Sequence, residues 1–151
     1  LEEIAEEKGL SHEEETKKWS MPLDVRTKRA QDVIKVLPNL QGGAKLTSHL
    51  TDVSPKFIVL AAIDGGNHIF MNIAKEEDGE AVIDIDALKE VIMEYDDSLL
   101  TEVYIGRRKG FMDDLDEPLQ KLNGENSKIH IGTIKEAVDQ FSNKIPELME
   151  E

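Results

Sequence analysis

Apolar positions change period along the chain, and each change marks an element. Between Pro22 and Leu37 they fall at Leu23, Ala30, Val33, Ile34 and Leu37, which share one helical face at about 100° per residue. Pro22 suits the first turn of such a helix, and Pro38 stops it. Lys28, Gln31 and Lys35 take the opposite face, with Arg29 on a flank. Residues 39–55 (NLQGGAKLTSHLTDVSP) have no period, and so long a connection points to a functional loop. A continuous apolar run, Lys56–Ile63 (KFIVLAAI), is the strongest strand. Asp64-Gly65-Gly66-Asn67 joins it to a strand-like His68–Ile73, which predicts a hairpin. A short strand fits Ala81–Ile85, followed by a helix capped by Asp86 and running to about Tyr95, with Leu88, Val91 and Ile92 inward. Strands at Thr101–Ile105 and Lys128–Ile131 flank a short helix near Leu115–Leu122. Thr133 and Glu136 match a capping box for a closing helix that should end before Pro146.

Helix, strand, hairpin strand, helix, strand is the order of a βαββαβ ferredoxin-like unit without its first strand. The expected class is therefore α+β: an antiparallel sheet packed with helices, its first strand lying upstream of Leu1. Residues 1–20 read as an acidic flank or the remnant of an insertion, helical or loosely held. Residues 21–151 read as the partial palm with its C-terminal helix.

Charge changes this picture. The chain of 151 residues carries 18 Lys+Arg against 32 Asp+Glu, a net −14 that argues against a polyanionic partner. Position reverses the argument. Residues 16–56 hold eight bases against three acids, so a stretch of +5 lies inside an acidic chain. The absence of cysteine excludes disulfides, thiolate metal sites and a thiol nucleophile. No apolar run approaches the roughly 20 residues of a membrane span and no signal peptide is legible, so a cytoplasmic location is expected.

The sharpest chemistry follows the basic helix, at Gln41-Gly42-Gly43-Ala44-Lys45 and Thr47-Ser48-His49. Paired glycines let backbone N–H groups approach a phosphate, while Lys28, Arg29, Lys35 and Lys45 supply positive charge. Gln41, Ser48 and His49 add neutral donors. The order helix, loop, strand excludes a Walker A loop, which joins a strand to a helix. A helix C-cap and turn is the alternative use of those glycines. His49 with Asp52 also suits a general-base or metal role, or simple hydrogen bonding within the loop. Asp113, Asp114, Asp116 and Glu117 offer carboxylates to a divalent cation, but they lack the spacing of an EF-hand and read rather as a solvated acidic turn. Arg107-Arg108-Lys109-Gly110 ends a strand and could touch phosphate, although exposed bases at a strand end are ordinary. No cofactor motif is present.

The segment VRTKRAQDVIKVLPNLQGGAKLTSHLTDVSPKFIVLAAIDGG (Val25–Gly66) resembles the DevR family of CRISPR-associated proteins. That family supplies the backbone subunits of type I interference (Cascade) complexes within the RAMP superfamily. The resemblance rests on the basic helix, the Gly-Gly-x-Lys loop, the Ser-His continuation and the strand with its Asp-Gly-Gly turn. It implies an RNA-recognition-like, ferredoxin-type palm that holds guide-RNA phosphates irrespective of sequence. It also implies homo-oligomerisation along the RNA beside other CRISPR-associated subunits, with no catalytic activity and no cofactor. The implied contacts are Lys28, Arg29, Gln41, Gly42, Gly43, Lys45 and Ser48. The rival expectations are an endoribonuclease of the same superfamily, using His49 or Asp52, and an acidic structural domain that binds a protein partner.

Overall fold

A computed structural model describes residues 5, 7–13, 18–40 and 52–150. In order these form β1 (Ser11–Glu13), β2 (Lys18–Ser20), α1 (Leu23–Lys35), β3 (Phe57–Leu60), β4 (Ala74–Glu77), β5 (Glu80–Ile83), α2 (Ile85–Glu94), β6 (Val103–Arg107), α3 (Asp116–Glu125), β7 (Ile129–Gly132) and α4 (Ile134–Glu150). The class is α+β. The main sheet has the order β3-β6-β7. The antiparallel expectation holds for β3 against β6, with Val59 opposite Ile105, but β6 and β7 run parallel, with Gly106 opposite Gly132. The sheet is therefore mixed, because the α3 crossover returns the chain in the same direction.

Alternation along the strands sorts the core into two layers. Val103 and Ile105 of β6 pack with Leu88, Ile92, Leu119 and Leu122 of α2 and α3. Tyr104, pointing the other way, packs with Ala137 and Phe141 of α4, and Ile34 of α1 lies against that cluster. Helices α2 and α3 thus cover one face of the sheet, and α1 and α4 the other.

The expected hairpin is displaced. His68–Ile73 forms turns, and the hairpin joins β4 to β5 through Asp78-Gly79. Both turn residues have positive φ, 54° and 84°, as a two-residue type I′ turn requires. At the first Asp-Gly, the chain is instead held to the segment behind α2, where the Asp64 N–H donates to the Ser98 carbonyl at 2.8 Å. Asp84, not Asp86, caps α2 by accepting from the Ala87 N–H at 2.9 Å. The two short strands β1 and β2 pair antiparallel in the acidic flank, with the rings of His12 and Trp19 4.7 Å apart, so the helical reading fails at Ser11–Glu13.

Helix α4 runs through Pro146 to Glu150, past its expected end. Proline at that position removes the N–H that would reach the Ser142 carbonyl. The Gln31 side chain supplies the missing donor, with Nε2 3.0 Å from that oxygen. Gln31 therefore faces inward with Thr27, Ala30 and Ile34, and α1 is rotated so that Val33 is 63% exposed. Replacing Gln31 with Leu keeps the bulk but leaves the carbonyl unpaired. We expect a loss of about 1–2 kcal/mol in urea unfolding. A Gln31→Leu midpoint equal to the parent's would show that the bond is dispensable.

Candidate nucleic-acid interface

Gly132 ends β7, and Thr133 caps α4. The Thr133 N–H donates to Glu136 Oε2 at 2.7 Å and the Glu136 N–H to Thr133 Oγ1 at 3.2 Å, the reciprocal box expected from sequence. Gly106, beside Gly132 on β6, lies directly under this helix start. A Cβ there would stand 2.8 Å from the Ile134 Cα and 3.0 Å from the Thr133 carbonyl. Glycine thus lets the first turn of α4 rest on the strand end.

At that end, Arg107, Arg108 and Lys109 leave β6 while Thr133, Ile134 and Lys135 begin α4. Together with Lys35, Pro38 and Asn39 from the end of α1, and with Asp139, they line an open cleft of about 450 Å³. Lys28 lies seven residues before Lys35, about 20° away around the helix, so both belong to the flank of α1 beside the cleft. Arg29 is about 120° from Lys35, next to the exposed Val33 and Val36. The structure brings Lys28 and Lys35 to one side and sets Arg29 apart. Lys28 is 3.6 Å from Asp32, an exposed pair open to exchange with an anion. Gln41, Gly42, Gly43, Lys45, Ser48 and His49 lie outside the described residues.

The other cations of the strand end differ in availability. The Arg107 side chain is only 8% exposed. It donates to Asp113 at 2.5 Å, to Asp116 and to the Phe111 carbonyl at 2.7 Å. The acidic turn therefore serves to hold an arginine. Arg108 is exposed, with Asp52 3.9 Å away. Lys109 and Lys135 are exposed. Asp52 also accepts from Ser54 Oγ at 2.5 Å and from Lys56, and Lys56 and Ser54 hold its carboxyl well below the usual range. A carboxylate so engaged is a poor proton acceptor. His130 stacks on the buried Tyr104 with ring centroids 5.3 Å apart, and the Tyr104 hydroxyl donates to Glu102 at 2.8 Å.

Lys109 is legible as a base that could touch phosphate, but its grouping with Lys35, and Lys135 altogether, are missed because the sequence does not state that β6 and β7 are parallel neighbours. The available signal was that both bases closely follow strand ends. Among the described residues, no group of three or more His, Cys, Asp or Glu could hold a metal ion, and no helix is long and apolar enough to cross a membrane.

The Arg107 anchor carries a pH dependence. Arg107 and the Gly110 N–H, in that order, lower the Asp113 carboxyl below its ordinary value. A depressed carboxylate contributes its stability above the unfolded-state value, and the contribution fades as pH falls through the folded one. The parent should therefore lose stability from about pH 5 downward. Asp113→Asn should be weaker at pH 7 and show a shallower acid decline in urea midpoints. A parallel decline in both proteins would remove Asp113 from this account.

No protein-family model matches the sequence, and no match was found among curated proteins or solved structures.

Proposed function

We propose that the chain is a guide-RNA-binding backbone subunit of a CRISPR interference complex, gripping phosphates without regard to base sequence. The observation that carries this reading is the grouping of Lys35 with Arg108, Lys109 and Lys135 around one open cleft, with Lys28 two turns back on the same flank of α1, in a protein of net negative charge. Phosphate contacts of this kind position a strand and carry no sequence information. Support also comes from the resemblance of Val25–Gly66 to the DevR family, which implies phosphate contacts for Lys28, Arg29, Gln41, Gly42, Gly43, Lys45 and Ser48.

In this proposal β3 and β6 are the antiparallel heart of a ferredoxin-like palm with α1 and α4 across one face, and the parallel β7 is a departure from that plan. The subunit works without catalysis, in the cytoplasm, beside further copies of itself and other subunits of the complex. Fluorescence anisotropy with two unrelated single-stranded RNAs tests it. Equal affinity for the two is expected, with both RNAs intact after incubation. Failure to bind either RNA, strong preference for one, or cleavage would overturn the reading.

A further inference from the structure

The basic cleft occupies a special place in the topology. Strands β6 and β7 are parallel neighbours, yet the chain leaves β6 toward α3 on one face and leaves β7 toward α4 on the other. Adjacent parallel strands whose connections part to opposite faces open a crevice beyond their C-terminal ends, where α/β sheets seat their ligands. The cleft opens at the mouth of that crevice on the α1/α4 side, lined by the end of β6 and the residues after it, the residues after β7 and the end of α1. Its volume of about 450 Å³ lies within the range of small-molecule sites.

Its chemistry narrows the ligand. Arg107 is consumed by Asp113 and Asp116, but Lys35, Lys109 and Lys135 are exposed around the opening. These three favour a phosphate. Asp139, one turn beyond Lys135 on α4, adds a single carboxylate to the same wall. A carboxylate repels phosphate but accepts hydrogen bonds from hydroxyl groups, the use an acidic residue has on a ribose. Cations and one carboxylate on a nucleotide-sized cleft suit a ligand with a phosphate at one end and a diol at the other.

We propose that this cleft is a ribonucleotide site, taking the phosphate on Lys35, Lys109 and Lys135 and the ribose hydroxyls on Asp139. The ligand is either a free nucleoside monophosphate or one nucleotide of an RNA strand. The site depends on the crevice and its four side chains, and does not require the guide-RNA reading.

Isothermal titration of the whole chain with AMP, 2′-deoxy-AMP and inorganic phosphate tests it. The expected result is saturable AMP binding at least fivefold tighter than 2′-deoxy-AMP and tighter than phosphate. Lys109→Glu with Lys135→Glu should weaken AMP tenfold or more, and Asp139→Asn should erase the preference for ribose. These positions are exposed, so the fold should survive all three changes, as circular dichroism would verify. AMP no tighter than phosphate, or AMP unaffected by the double variant, would overturn the site. An RNA 12-mer separates the sources: displacement of AMP assigns the site to a strand, and simultaneous binding assigns it to the free nucleotide. Lys28→Glu should weaken the 12-mer and spare AMP, so a chain that binds AMP but no RNA defeats only the guide-RNA reading. RNA binding without AMP binding defeats only this inference.

Discussion

Alanine at Gly106 is expected to destabilise the protein by about 2–3 kcal/mol, within the range for forcing a carbon into a packed interior. Three contacts are involved, and two of them are backbone: the Ile134 Cα at 2.8 Å, the Thr133 carbonyl at 3.0 Å and the Ile58 Cγ2 at 2.9 Å. Backbone cannot rotate away as a side chain can, so either α4 lifts or the strand shifts. Lifting α4 would pull its Ala137 and Phe141 away from Tyr104 of β6 beneath them. At this chain length each kcal/mol lowers Tm by about 2–4 °C, so a fall of roughly 5–10 °C is expected. Gly132→Ala should cost less. Its new methyl would meet Glu136 Oε2 at 2.8 Å, the movable end of a side chain, though one that serves the capping box. A Gly106→Ala protein melting within 1 °C of the parent would mean that α4 does not rest on β6 as described.

The second large effect concerns charge. Lys28→Glu combined with Lys35→Glu should weaken RNA binding roughly tenfold at low salt, if each exposed contact is worth about 0.5–1 kcal/mol. Neither lysine is buried, and Lys28 pairs with the exposed Asp32, so stability should be nearly unchanged. Arg29→Glu should do less, because Arg29 stands on a different flank of α1. If Arg29→Glu matched the double variant, the RNA would run over the Val33 and Val36 side instead.

Much of the local structure was legible. The closing helix announced its start through Thr133 and Glu136, and the apolar run of Phe57–Leu60 its strand, because each signal is completed within a few residues. Its far end was misplaced for the opposite reason. Pro146 costs the helix a backbone hydrogen bond, and the donor that re-pairs the orphaned carbonyl, Gln31, lies 111 residues away. The same contact explains the misjudged face of α1: an inward glutamine is invisible to a hydrophobic pattern. Two Asp-Gly steps competed for the hairpin, and only Asp78-Gly79 had β-strands able to pair on either side. Helical spacing places Lys28 and Lys35 on a common side of α1, but it sets that side opposite the core, whereas the inward Gln31 makes it a flank. Their neighbours Lys109 and Lys135 depend on strand pairing, which local pattern does not encode.

Phosphate-led binding is the central claim, and the slope of RNA affinity against salt measures it most directly. Each neutralised phosphate of a single strand contributes about −0.7 to the slope of log K against log salt. Three or more contacts give a slope of about −2 or steeper, the same for unrelated RNA sequences. Lys28→Glu with Lys35→Glu should flatten it by about 1.4. A slope near zero in the parent protein, or one untouched by the double variant, would contradict the account.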